Sequence, residues 1–303
     1  MFNERFKIVS GYILICLIWG STWYSIKLGL DEFPPMYAAG LRFTLAAVFI
    51  FLFMKARGLK IQKDKISMRL YWIMGIFSFV IPFSLVYWAE QYIPTGLASV
   101  LFATFPFFVT IFSKLSLPGE SVDLWKVIGV VLGFIGIVVI FSDDISLDLK
   151  ISIIGMLAVI LSAAMQGGIA VIIKKYGEHL NPFTMNFLPL VIGGLFLLLA
   201  SLVFENPLNV KYSALAVGSV IYLAFFGTLV TFTIYYWLMQ RINVVILSLS
   251  AFITPIIAVL IGWLFASEKF TALDLADSSL VLIGILFANF KGLMNFIKSN
   301  GAK

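Results

Sequence analysis

Ten long apolar runs, separated by short polar or basic stretches, organise this chain of 303 residues. A helix rises 1.5 Å per residue, so about 20 apolar residues cross a bilayer core of about 30 Å. Spanning helices are expected at about 9–30, 35–54, 69–89, 94–115, 124–142, 151–173, 183–203, 213–238, 243–265 and 272–294. The first run is too long for the apolar region of a secretory signal and lacks a small-residue cleavage site, so it reads as the first span. The pattern predicts an all-α integral membrane protein with ten transmembrane helices.

Composition agrees. Mean hydropathy is +1.05 and only 12% of residues are charged, against about a quarter in soluble domains. Aromatics make up 16%, with Phe at 30 residues, which suits lipid-facing surfaces and interfacial belts. Placing the N-terminus in the cytoplasm puts 16 of the 21 Lys and Arg in cytoplasmic loops and 4 outside. Arg42 falls within the second span. The outer loops are acidic, with Asp31 and Glu32 in one and Asp143, Asp144 and Asp148 in another. The positive-inside rule therefore places both termini in the cytoplasm. The net charge of +6 is orientational, and nucleic acid is not an expected partner.

The apolar runs also repeat. Lys27 meets Lys174 and Pro35 meets Pro182 at an offset of 147. Tyr87, Trp88 and Gln91 meet Tyr236, Trp237 and Gln240 at 149, as do Ser99 with Ser248 and Pro106 with Pro255. Glu120 meets Glu268 at 148. Two repeats follow, 1–145 and 146–303, each with five spans. Five is odd, so the second repeat enters the membrane from the opposite side. Such inverted-topology repeats are typical of secondary transporters.

Most other chemistry is excluded by what the chain lacks. One cysteine, Cys16, permits no intrachain disulfide, and one histidine, His179, cannot build a metal cluster with it. No G-x-x-x-x-G-K-[ST] occurs, so the chain carries no phosphate-binding loop for ATP. No span centre carries paired carboxylates or a Ser/His pair, which argues against an enzyme. No metal and no cofactor is expected. Glu90 and Asp277 lie near span ends, so a proton relay through a central acid is not expected, and transport by uniport or exchange is.

The candidate substrate-binding residues are Trp19, Ser21, Arg42, Tyr87, Gln91, Ser99, Gln166, Tyr236, Gln240 and Ser248. Trp19, Gly20 and Ser21 interrupt the first span near mid-membrane, and Gln166, Gly167 and Gly168 interrupt the sixth at the matching place. Interruptions at equivalent places in two halves point to a midplane site. The glycines serve equally well as close-packing points. Gln166, an amide in lipid, needs partners and lines a cavity. Arg42 lies seven residues into its span, about 10 Å deep. It is a cationic anchor for a carboxylate or other anion, a snorkelling arginine, or one ion-paired to Asp31 or Glu32. Tyr87 with Gln91, and Tyr236 with Gln240, form interfacial belts or gates at opposite faces. Ser99, Thr104, Ser248, Ser250 and Thr254 precede or flank mid-span prolines and can satisfy carbonyls those prolines free. Gly129, Gly133 and Gly136 make a packing face, within the chain or across a homodimer. Asp277 stands where the first repeat has Gly129, as a solvated helix start or an ion site.

Several stretches resemble the drug/metabolite transporter superfamily, and within it the EamA-type ten-helix exporters. They are IWGSTWYSIK in the first span, PPMYAAGLRF opening the second, and AEQYIPTGLASVLFATFPFFVTIFSKLSLPGE, echoed as MQRINVVILSLSAFITPIIAVLIGWLFASEK. The resemblance covers nearly the whole chain. It implies a central cavity lined by spans 1, 3, 4, 6, 8 and 9, with spans 5 and 10 outside. It also implies export of small metabolites such as amino acids across a bacterial inner membrane. Asp277, and Gln166 at the position equivalent to Trp19, depart from the family pattern. The expected function is a secondary transporter working by alternating access in the lipid bilayer, as monomer or homodimer; a passive channel or lipid-handling protein is the alternative.

Overall fold

The computed structural model describes residues 4–93, 95–117, 149–207 and 210–265, with isolated positions between 124 and 135. The tenth span, Asp277, Gly133 and Gly136 lie outside the described residues. α1 (Glu4–Leu30) and α2 (Pro35–Arg57) are unbroken. Pro35 opens α2, where its missing N–H has no helical partner to lose. Gly58 ends it at φ +63°, a left-handed conformation that glycine adopts without strain. The third span begins as α3 (Lys65–Met74), passes through a π-helical segment at Gly75–Val80, and finishes as α4 (Ile81–Ala89). The fourth is broken into α5 (Thr95–Phe102) and α6 (Phe105–Ser116).

The second repeat follows the same plan. α7 (Leu149–Tyr176) and α8 (Thr184–Phe204) are continuous. The eighth span is α9 (Ala214–Ala224), a π segment at Phe225–Val230, and α10 (Thr231–Met239). The ninth is α11 (Val244–Ser248) and α12 (Ser250–Phe265). Among the described residues, seven helices or helix runs are long and apolar enough to cross a membrane. The chain is a multi-pass helical membrane protein.

Contacts at the helix ends show the inversion. Glu4, at the start of α1, pairs with Arg241 just past α10 at 3.1 Å. Lys174, near the end of α7, reaches Met239 O at the end of α10. The start of α1 and the end of α7 therefore share one end of the bundle, so these equivalent spans run in opposite directions. His179 and Asp64 meet at that same end. Many cationic loop residues also lie there, and it is termed the basic end. At the acidic end, the Glu205 carboxylate accepts from the N–H groups of Met36 and Tyr37, and Glu32 accepts from Ser213 N.

Packing is close where glycine allows it. A Cβ on Gly20 would sit 2.5 Å from Ile257 Cβ, and one on Gly167 would sit 2.9 Å from Phe108 Cβ. Ile257 and Phe108 are themselves repeat mates. Of the two expected roles for these glycines, the structure supports packing. In lipid, where association depends on intimate contact, small residues let backbones approach. α2 and α8 are joined likewise, Gly40 against Leu198 and Gly194 against Thr44.

Candidate substrate-binding site

A cavity of about 880 Å³, counted out to its mouth, lies between α1, α2, α7 and the broken spans. Its lining comes largely in repeat-related pairs: Trp19 with Gln166, Trp23 with Ala170, Ile26 with Ile173, Phe83 with Phe232, and Phe105 with Thr254. The inverted repeat thus builds the chamber from one residue of each half. The wall is mostly aromatic. Trp19 packs against Phe232 and Tyr235 at centroid distances of 5.6 and 5.2 Å, and Trp23 against Phe102 at 5.8 Å. Polar points are few: Thr22, Ser78, Gln166, Ser250, Thr254 and two tyrosines.

Among the described residues, Arg42 is the one charged side chain in this lining. It is 2% exposed. Its Nε donates to Thr228 Oγ1 at 2.8 Å, Nη1 to Tyr87 Oη at 3.2 Å, and Nη2 to Gly227 O at 3.0 Å. The rings of Phe83 and Phe43 lie 5.1 and 5.4 Å from its guanidinium carbon. None of these partners is a carboxylate. The alternative pairing with Asp31 or Glu32 is not formed among the described residues; Glu32 instead holds Ser213 N. A guanidinium carries five donors, and three bonds leave donors for an anion in the cavity.

The π segment of the eighth span makes this arrangement. After it, the N–H of Thr231 bonds to Phe226 O and Thr228 O. The carbonyl of Gly227, between them, accepts from Arg42. Thr228 Oγ1 donates back to Leu223 O and so presents its lone pair to the guanidinium. Gly227 also permits the approach, since a Cβ there would meet Thr22 Cγ2 at 2.8 Å. Sequence reasoning missed Gly227 and Thr228, because a π segment leaves no mark in the hydrophobic pattern. π turns occur often at functional sites.

The expected site residues divide. Trp19, Arg42, Gln166 and Tyr236 line the cavity. Tyr87 is buried behind it and positions Arg42. Ser21 faces Tyr222, with 2.5 Å between the hydroxyls. Ser248 donates to Val245 O, and Ser99 is fully buried outside the lining. Ser21 and Ser248 turn away because their hydroxyls bond helix carbonyls or Tyr222. Thr254 donates to Ala251 O, the carbonyl whose helical partner Pro255 lacks.

Gln91 and Gln240 lie far from the chamber centre, at opposite ends. At the basic end Gln240 Nε2 donates to Leu180 O at 2.8 Å and to Glu178 O at 3.2 Å. Lys174 Nζ donates to Met239 O at 2.6 Å and Ile242 O at 3.5 Å. Tyr12 Oη donates to Ile246 O. These bonds tie α1, α7 and the eighth and ninth spans together. At the acidic end Gln91 is exposed and lines an open groove with Asp31, Phe33 and Trp88. Lys27 is exposed as well.

Comparison with known proteins defines the class. The EamA-like transporter family matches this chain twice, over residues 7–142 and 153–290, and the chain belongs to that family. It is 30% identical to the uncharacterized transporter YoaV of Bacillus subtilis, over 94% of this chain and 97% of that one. It is 29% identical to protein PagO of Salmonella typhimurium, over 82% of this chain and 81% of PagO. It is 24% identical to the uncharacterized inner membrane transporter YedA of Escherichia coli, over 94% and 91%. A protein of known crystal structure shares the fold at a TM-score of 0.80 and 18% identity, over 95% of this chain and 98% of its own. The protein is a membrane transporter and not an enzyme.

Proposed function

We propose that the protein is a secondary carrier that exports small amphipathic metabolites bearing a carboxylate, such as amino acids, by alternating access. One observation carries this reading: a single buried guanidinium, held by neutral partners, faces an aromatic chamber latched at one end. The cation would take the carboxylate, and the aromatic wall would take the apolar part. The positive-inside rule makes the basic end cytoplasmic, with both termini there, in an inner membrane. The chamber then opens outward. The repeats, divided near residue 146, would rock about it. A chamber built within one chain needs only a monomer for transport. The bonds across the basic end count against a continuously open channel.

Counterflow in proteoliposomes loaded with a pooled metabolite set, read by mass spectrometry, tests the proposal. Saturable, competable exchange of carboxylates is the expected result. Flux that does not saturate would indicate a channel, and exchange confined to cations would remove Arg42 from the substrate site.

A further inference from the structure

The latch at the basic end has a mate at the acidic end that forms no such bonds among the described residues. Lys27 and Gln91 are the repeat mates of Lys174 and Gln240. Carrying the same offsets to the acceptors turns Met239 and Ile242 into Glu90 and Ile93, and Glu178 and Leu180 into Asp31 and Phe33. An exchange of conformations between the repeats would bring Lys27 to the end of α4 at Glu90, and Gln91 to the Asp31–Phe33 turn. One of these positions gains an ionisable side chain. Where the basic end has the thioether of Met239, the acidic end has the carboxylate of Glu90.

Glu90 lies one residue past the spanning run. Both its carboxylate oxygens are buried and accept no hydrogen bond among the described residues. Arg42 of α2 and, less strongly, Lys27 of α1 are the cations whose charges reach it, and Tyr87 lies one turn before it on its own helix. α7 packs the same stretch through Gly155 and Ala158 and presents no described titratable group there. Arg42 donates to Thr228, Tyr87 and Gly227, and none of these bonds reaches Glu90. The sequence alone set Glu90 aside as a span-end acid; its burial changes that assessment.

We propose that Glu90 is a proton-binding site that couples closure of the acidic end to the proton gradient. The proposal rests on the carrier reading for its place in a transport cycle. With the latch open, a buried carboxyl lacking donors holds a proton taken from the adjacent groove. With the latch closed, the Lys27 ammonium stands beside it and favours the ionised form. The O–H bond then breaks, and the proton leaves as hydronium through the chamber, now open to the cytoplasm. One proton enters for each closure, while substrate is released outward in the open state. High pH therefore favours the closed acidic end and low pH the open one.

The test is a pulsed electron-spin distance measurement on the full chain in nanodiscs, with no substrate present. In a Cys16→Ser background, one label is placed at D31C in the acidic groove and the other at Y92C, exposed beside the groove residue Gln91. In the parent, the ratio of short to long distances should rise with pH by up to about tenfold per pH unit. Glu90→Gln should stay at the longer distance at every pH, and Lys27→Met should lack the short component while keeping parental longer distances. A pH-dependent shift that persists in Glu90→Gln, or a parent with no shift, would overturn the proposal. The carrier reading fails separately, if the parent shows no counterflow while its distance shift remains.

Discussion

The third and eighth spans hold equivalent places in the two repeats, and their differences show how a duplicated scaffold acquires chemistry. Both begin with a side-chain cap, Asp64 accepting from Ile66 N and Ser67 N, and Ser213 from Ala216 N. Both pass through a π segment, Gly75–Val80 and Phe225–Val230, and both end in Tyr-Trp-x-x-Gln. Both meet one cation unequally: the third span gives Arg42 the Tyr87 hydroxyl, the eighth gives it the Thr228 hydroxyl and the Gly227 carbonyl, and the mate of Arg42 in α8 is Pro189. Duplication supplies the frame, and single departures from symmetry supply the charge.

The largest effect should come from removing that departure. Arg42→Ala should lower exchange of carboxylate substrates by at least about 30-fold, the scale of losing a buried charge-assisted contact. Expression and thermal stability should change far less. Arg42→Lys keeps the charge but loses the planar fork, and should restore only part of the activity. Parental exchange by Arg42→Ala would make the arginine a packing element. Next comes the frame itself. Gly20→Val and Gly167→Val overpack equivalent crossings and should each destabilise by about 1–3 kcal/mol in detergent melts. Gly20 should suffer more, having 2.5 Å of clearance against 2.9 Å. The reverse order would mean that α6 is less able to yield than α12. Thr228→Val removes one acceptor from the guanidinium and keeps the volume. A fivefold loss of exchange, roughly, is expected, since hydrogen bonds to charged groups contribute about 1.5–3 kcal/mol and two other acceptors remain.

Much of this scaffold is legible in the chain. Run lengths place the described helices to within a few residues, because lipid demands long apolar segments whatever their neighbours. Rare residues such as the Tyr-Trp pairs reveal the repeat, and Arg42 stands out because a charge in an apolar run is costly. What holds Arg42 is not legible. Gly227 and Thr228 look like ordinary small residues of a span until the π segment turns them toward the guanidinium. Glu90 stands at a span end, as the sequence places it, but its burial is not legible. Distance along the helix places it near a membrane edge, while its burial depends on how neighbouring helices meet it. Ser21, Ser99 and Ser248 show the opposite error, polar residues near mid-span whose hydroxyls never reach the chamber.

The smallest expected effect compares the two caps. The Asp64 carboxyl is held below the ordinary carboxylate range, first by hydrogen bonds from Ser67 and less by the charge of His179. A depressed folded-state value means the cap's stabilisation is complete above the unfolded value near 3.8 and drains away as pH falls through the lower folded value. The Ser213 hydroxyl does not titrate in this range, so its cap is insensitive to pH. Ser213→Ala should therefore lower stability by about 1 kcal/mol at both pH 7 and pH 3. Asp64→Ser makes the third span's cap like the eighth's. Its melting temperature should fall slightly below the parent's at pH 7, and the gap should close toward pH 3. A gap that widens on acidification would mean that the charge of Asp64 opposes this cap, and that the hydrogen bonds alone hold the start of α3.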